Sequence, residues 1–363
     1  MELARTADQQ SLAEAVERFC QQQITPAQLT AWQGEPRGID AAAWRAIGGL
    51  GWFGLGLPEA SGGSGLGLTE VGVLLQECAR GLVPRSVINA IRAAWALGRL
   101  DPTAAELAEL ATGARVVALA LDERSATDPA HYTTALAGGS APRLRGEKWY
   151  VPNGLGAAWH LVAAREGRGI SLVLVAGEQS ARRGLRTFDG EEQAVVGYDD
   201  VAVQRRLSPA GDGAAALRTL RREATALALA EMIGGAQAAL DTTVAYVKER
   251  EQFGQKLAVF QAVQHQVADM ATAFTAAKHL AWQAITRMAV GTESGGELDM
   301  AAAFVAPAFK RITLAAHHLH GGAGFVVEHP LHWHSERAQA LAIRHAPEAP
   351  ALEAIADRLL GER

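Results

Sequence analysis

At 363 residues the chain exceeds what a single core ordinarily organises, so two or three packed regions are expected. Hydrophobic residues make up 49% of it and charged residues 20%, the balance of a globular protein. A net charge of −5 with no local lysine/arginine cluster leaves no footprint for nucleic acid, and no apolar stretch approaches the roughly 18 residues of a membrane span.

Both cysteines, Cys20 and Cys78, sit inside apolar helical patterns and read as buried thiols rather than a disulfide. The first residues lack the basic start and apolar run of a signal peptide, so a cytoplasmic location is expected.

From Ser11 to about Gly113 the apolar residues recur at helical spacing: Leu12, Val16, Phe19 and Cys20, then Trp44, Ile47 and Leu50. The glycine-dense run from Gly51 to Gly65 is expected to be an ordered loop, since each glycine costs a helix interior about 1 kcal/mol against alanine. A helix over 69–80 is predicted to stop at Gly81 ahead of Pro84.

The period changes at Ala114. Val116–Leu121, Leu161–Ala164, Ile170–Val175, Val195–Val196 and Val201–Val203 are short β-rich runs punctuated at Gly138, Gly139, Pro142, Gly146, Pro152, Gly154 and Gly184. No helical pattern alternates with them, so an antiparallel β-domain is favoured over a βαβ arrangement.

Beyond Ala214 helices return. No proline interrupts 210–306, which allows long helices over 217–249 and 261–290 with a turn at Arg250–Lys256. A break at Ser294-Gly295-Gly296 precedes a third helix reaching Gly321, with a kink expected near Pro307, and a last helix spans 350–360. The expected fold is therefore a helical domain over 1–113, an antiparallel β-domain over 114–210 and a helical bundle over 211–363.

Two segments carry most of the functional signal. One contains Arg250-Glu251-Gln252-Phe253-Gly254, then Phe260-Gln261 and Ala268-Asp269-Met270. The other is His318-Leu319-His320-Gly321-Gly322-Ala323-Gly324-Phe325. Together with the loop Gly56-Leu57-Pro58-Glu59-Ala60-Ser61-Gly62-Gly63-Ser64-Gly65 and the helix–strand–helix order, they resemble the acyl-CoA dehydrogenase family over nearly the whole chain.

The resemblance implies FAD, an acyl-CoA substrate and an acceptor of the electron-transfer flavoprotein type. It also implies a homologous neighbouring subunit, in a homo- or hetero-oligomer, because one subunit's residues grip the dinucleotide of the next. The positions it assigns to that grip are Arg250, Gln252, Phe253, Gln261, His318, Gly321 and Gly322. A guanidinium suits a diphosphate through paired, charge-assisted hydrogen bonds, and bare glycine backbone suits close approach to a cofactor. At 318 the family usually has glutamine.

The catalytic positions depart from the family. Its α-proton base is a glutamate at one of two places. In this chain one reads Ala224, beside Glu223, and the other, in a late loop, reads His345. A neighbouring helical residue points about 100° away, so Glu223 is a weak candidate base and Glu231 a weaker one; an exposed helical charge is the ordinary reading of Glu223.

Where the family has its flavin-ring loop this chain reads Leu121-Asp122-Glu123-Arg124-Ser125-Ala126-Thr127-Asp128-Pro129, and the following strand reads Trp149-Tyr150-Val151-Pro152-Asn153-Gly154. Tyr150 replaces a tryptophan, and Pro152 replaces a hydroxyl residue and has no N–H to donate. The chain is thus expected to act as one subunit of a heteromer whose partner keeps the glutamate, as in bacterial family members acting on steroid-derived acyl-CoAs. An active homo-oligomer with an unusual base, and a non-catalytic binding or regulatory protein on the same fold, are the alternatives.

The histidines from His317 to His334 raise a metal reading through their i, i+3 spacing, but no carboxylate or cysteine completes a ligand set, so no metal is expected. A nucleotide-binding Rossmann unit is disfavoured because Gly62-Gly63-Ser64-Gly65 follows helices rather than a strand.

Overall fold

A computed structural model describes residues 4–125, 128–137, 139, 141–293 and 295–361. Gly138, Ser294, Ala126 and Thr127, which fall in the expected turns and flavin loop, lie outside the described residues. The chain separates into two compact units: Met1–Thr30 with Gly67–Val83 and Glu223–Arg363, and Ala31–Leu66 with Pro84–Arg222.

The first unit is helical. Helix α1 (Ala7–Gln23) begins earlier than the apolar pattern suggests because Thr6 and Gln9 form a capping box, each side chain bonding the other's backbone N–H. It buries Ala13, Val16 and Cys20, and packs on α4 (Leu68–Arg80). Both cysteines are free and buried.

Helix α4 does stop at Gly81, yet the left-handed residue is Leu82, with φ +57°. Gly81 is small for another reason: a Cβ there would lie 2.4 Å from the Cys20 sulfur. The long helix α7 (Ala214–Glu249) enters this unit at Glu223. Its Gly234 gives α4 room, since an added Cβ would sit 1.9 Å from the Gln76 carbonyl oxygen.

Helices α8 (Gln261–Ala289), α10 (Leu331–His345) and α11 (Glu348–Leu360) all pack on α9 (Gly296–His320). Pro307 stands inside α9. His345, which the resemblance places in a late loop, instead ends the last turn of α10, since nothing in Ala342-Ile343-Arg344-His345 breaks a helix before Pro347.

The second unit holds helices α2 (Pro26–Trp32, which starts in the first unit), α3 (Ala41–Gly49), α5 (Arg85–Leu100) and α6 (Leu107–Ala111) around a sheet. The run from Gly51 to Gly65 contains two single 3-10 turns, Trp52–Gly54 and Glu59–Ser61, with Gly51, Gly62 and Gly65 at positive φ.

The strands are β1 (Val117–Ala120), β2 (Ala135–Ala137), β3 (Arg143–Pro152), β4 (Trp159–Glu166), β5 (Gly169–Ala176), β6 (Ala181–Leu185) and β7 (Gln193–Arg206). Pairing runs β4–β2–β3–β7–β5 and returns to β4, so the ladder closes on itself, with β1 sharing one edge of β4 with β2 and β6 sharing one edge of β7 with β5. Most pairs are antiparallel, while β4 runs parallel to β1 and to β2.

Closure explains the continuous apolar runs. In β4 and β5, Val162, Ala164, Val173 and Val175 pack with Leu144, Val151, Val196 and Val201 in one core. Leu161, Ala163, Leu172 and Leu174 pack on the other face with α5 and α6 residues such as Leu97 and Leu107. Both faces are buried, so the usual alternation of strands disappears.

Candidate functional site

The positions read as a cofactor grip gather at one end of the helical unit. Tyr246, in the last turn of α7, stacks on His320 with ring centroids 4.3 Å apart and donates its hydroxyl to the His320 carbonyl at 3.3 Å. His318 on α9 pairs with Gln266 on α8 at 3.2 Å through Nδ1. These contacts bring three places together: the hairpin after α7, formed by β8 (Glu251–Gln252) and β9 (Gln255–Lys256); the start of α8 at Gln261; and the 3-10 turn Gly321–Phe325.

The side chains there face outward. Arg250, Gln252 and Gln261 are exposed, and Arg250 makes no side-chain ion pair among the described residues. Phe253 is 91% exposed and holds φ +55°, a strained conformation for an aromatic residue, with Gly254 also left-handed beside it.

Gly321 and Gly322 are not crowded within this chain, because an added Cβ at either meets nothing within 4 Å. What calls for glycine at 321 is its φ of +56°. The turn is fastened by His317, which stacks on Phe325 at 4.5 Å and hydrogen-bonds Ser335 Oγ through Nε2 at 2.6 Å. Burial lowers the pKa of His317, His320 and His329, and the neighbouring histidines lower His317 and His329 further, so the cluster stays neutral at pH 7. No group of three or more His, Cys, Asp or Glu among the described residues is arranged to hold a metal.

The two places where a glutamate base is expected adjoin in space. Thr225 Oγ1 donates to the His345 carbonyl at 3.1 Å, joining the residue after Ala224 on α7 to the end of α10. Neither place carries a carboxylate. Glu223 is only 7% exposed, which overturns its ordinary reading as a solvent-facing charge, and Glu231 is buried as well. The sequence does not show this, since one acid within a long helix looks the same whichever way it faces.

In the closed sheet, Glu123 turns inward rather than lining a loop. Its carboxylate accepts from Thr133 N at 2.8 Å, Thr133 Oγ1 at 2.7 Å and Thr134 N at 2.9 Å, and pairs with Lys148 Nζ at 3.1 Å. Those hydrogen bonds outweigh burial and hold Glu123 down to about pKa 2. Lys148 is fully buried, and desolvation brings it down to about 8 against the pull of Glu123. The ammonium lies 3.5 Å from the centre of the Tyr132 ring. Arg221 donates to Asp122 at 2.7 Å and to the Tyr132 hydroxyl at 2.6 Å.

Just past Lys148 the β3–β7 register breaks. Tyr150 takes φ +57° and stands 44% exposed, beside a Trp149 ring flanked by Arg124 at 5.0 Å and Arg183 at 5.5 Å. Pro152 closes the strand, and Asn153 Nδ2 donates to the Ser86 carbonyl at 2.8 Å.

Sequence reasoning missed two polar clusters. One is the Glu123–Lys148 clasp. The other joins α5 to the β6–β7 turn, where buried Arg85 pairs with Asp189 at 2.7 Å and Asn89 bonds Glu191. Arg85, Asn89 and Arg92 recur at helical spacing within an apolar helix, and that spacing was a readable signal of a buried polar face.

Comparison with known proteins adds to this geometry. The acyl-CoA dehydrogenase C-terminal domain matches residues 211–360 and the N-terminal domain residues 6–101. Acyl-CoA dehydrogenase FadE28 of Mycobacterium tuberculosis is 31% identical over 342 residues, covering 92% of this chain and 91% of its own. The chain belongs to the acyl-CoA dehydrogenase family.

Two solved structures of similar fold are two-chain assemblies by name. The Tcur3481–Tcur3483 steroid ACAD, solved as a variant, is 30% identical with a TM-score of 0.89 over 97% of this chain and 98% of the other. The ChsE4–ChsE5 complex from Mycobacterium tuberculosis is 25% identical with a TM-score of 0.91 over 99% of each chain. A glutaryl-CoA dehydrogenase from Mycobacterium smegmatis in complex with FADH2 shares the fold alone, at 20% identity and a TM-score of 0.90 over 98% and 95%. Among the described residues of this acyl-CoA dehydrogenase, no helix is long and apolar enough to cross a membrane.

Proposed function

We propose that this chain is an FAD-dependent acyl-CoA dehydrogenase subunit that desaturates an acyl-CoA thioester together with a related chain carrying the catalytic glutamate. The observation that carries the reading is the pairing of the two base positions through Thr225 and His345 with no carboxylate at either. The names of the two-chain relatives favour a heteromer and, in one case, a steroid-type substrate.

The donor set fits the dinucleotide. An exposed, unpaired guanidinium at Arg250, amides at Gln252 and Gln261, the free Nε2 of His318 and the bare turn at Gly321–Gly322 stand at one end of the bundle, facing away from their own chain. Arg250 would meet the diphosphate and Phe253 would cover the adenine. When bound, the flavin supplies the hydride acceptor, and an electron-transfer flavoprotein type of carrier would reoxidise it. This chain's part is to fix the cofactor of its neighbour, while proton abstraction belongs to the partner's base.

Purifying the chain alone and with a co-expressed relative that keeps the glutamate tests this. The expected result is little flavin absorbance and no acyl-CoA turnover alone, with both restored in the mixed complex. A stoichiometric yellow band with turnover from the chain alone defeats the heteromer.

The burial of Glu223 favours one second reading, an active homo-oligomer in which Glu223 is the base. Under that reading Glu223→Gln abolishes turnover while flavin binding persists; in the heteromer it leaves turnover standing.

A further inference from the structure

The helical unit contains a cavity of about 330 Å³ that the dehydrogenation chemistry does not use. It lies among α1, α4, α7 and α10, and its volume is at the lower end of small-molecule sites, which run about 300–1,000 Å³. On α7 it is bounded by Ala238 and Asp241. Ala238 is fourteen residues beyond Ala224, about 21 Å along a helix rising roughly 1.5 Å per residue, so this is not the base position.

The cavity has an apolar floor and an acidic rim. Cys20, Ile24, Leu29 and Leu82 supply the floor. Glu17, Glu77 and Asp241 form the rim, and all three share one cation: Arg80 reaches them at 3.3, 3.6 and 3.4 Å. Arg5 also reaches Glu77, from outside the cavity, and the rim remains net negative.

The wall holds an unsatisfied group. His334 is only 4% exposed, and its buried Nδ1 has no hydrogen-bond partner among the described residues. An imidazole nitrogen buried without a partner forfeits the hydrogen bond it made in water, unless something in the cavity restores it. Burial and the nearby Arg337 keep this ring neutral, so it has a lone pair to offer a donor.

We propose that this cavity is a second binding site, taking a small amphiphile with a cationic amine on an apolar body. The body fills the floor, the ammonium lies against the rim carboxylates, and His334 accepts one of its N–H bonds. A carboxylate of the same shape is repelled by the rim, and a neutral alcohol gains the floor without the charge. The proposal is independent of which chain carries the dehydrogenase base.

Calorimetric titration of the purified chain with 2-phenylethylamine, 2-phenylethanol and 3-phenylpropionate at pH 7 tests it. The amine is expected to bind at least about tenfold more tightly than the alcohol, with no binding of the acid. Asp241→Asn, at a half-exposed position, is expected to weaken the amine about threefold and leave the alcohol unchanged. His334→Phe is expected to weaken the amine about fivefold, with thermal unfolding confirming that each variant is folded. Equal binding of amine and acid overturns the proposal. Amine binding unaffected by both variants also overturns it.

Discussion

Replacing Lys148 by methionine perturbs the clasp that fixes the Leu121–Thr134 segment against β3. Stripping one member from a buried ion pair costs about 3–5 kcal/mol, because the other charge is left behind. Glu123 would keep its three hydrogen bonds from Thr133 and Thr134, so the loss should sit near the lower end, about 3 kcal/mol at pH 7.

Glu123→Leu should cost more, about 4–5 kcal/mol. The buried ammonium would retain only the Leu121 carbonyl at 3.4 Å and the Tyr132 ring face, neither of which neutralises it. The two penalties change with pH in opposite senses. Burial already lowers Lys148 to about 8, so without Glu123 the folded chain sheds that proton more readily still. The unfolded lysine holds its proton to about 10.4, and stability of the Glu123→Leu variant therefore rises from pH 7 to 9.

The Lys148→Met penalty, relative to the native chain, shrinks in acid instead. Glu123 in the native fold titrates near 2 against about 4.3 unfolded, so the stability it contributes is full above that unfolded value and is lost as pH falls toward 2. Thermal unfolding at about pH 3, 7 and 9 reads the global effect, roughly 6–12 °C at pH 7 for a 3 kcal/mol loss at 2–4 °C per kcal/mol. Hydrogen exchange of the Thr133 and Thr134 amides reads it locally. The double variant with Leu at 123 and Met at 148 should lose clearly less than the sum of the single losses. An additive double variant, or a Lys148→Met loss under about 1 kcal/mol, refutes the reasoning.

Gly234→Ala should destabilise the helical unit by more than about 2 kcal/mol, seen in denaturant unfolding, because its methyl group meets the Gln76 backbone rather than a movable side chain. Arg250→Ala should leave unfolding within about 0.5 kcal/mol of native, since the side chain is exposed and unpaired, yet strip flavin from the purified complex; retained flavin counts against its role at the diphosphate. Burial lowers His160 and His334 to about 3, so each stabilises fully above about pH 6.5 and loses about 2 kcal/mol by pH 5, where only the unfolded chain takes up the proton. Melting curves across that range check the slope, which His334→Phe should flatten.

Much of the fold was legible because it rests on local rules. The period change at Ala114, the absence of proline over 210–306 and the glycine-dense segment at 51–65 each limit which backbone conformations are allowed over a short window. Element ends were less legible where caps or tertiary crowding set them. Thr6 moved the start of α1, and the late segment over 342–345 stayed helical because no breaker intervenes.

The residues proposed to grip the cofactor were visible as motifs, yet their orientation was not. A motif states which residue stands where, and only packing states that Phe253 faces solvent while Glu223 does not.

By itself, then, the sequence determined the order of helices and strands, the family, and that Ala224 and His345 are not carboxylates. Tertiary structure alone decided that β4 and β5 close a ring, that Glu123 and Lys148 meet across 25 residues of chain, and that Thr225 touches His345 across 120. The reason is physical. Backbone preference and hydrophobic period act over a few residues, whereas a buried charge pair or a closed ladder depends on segments whose separation only the folded chain fixes.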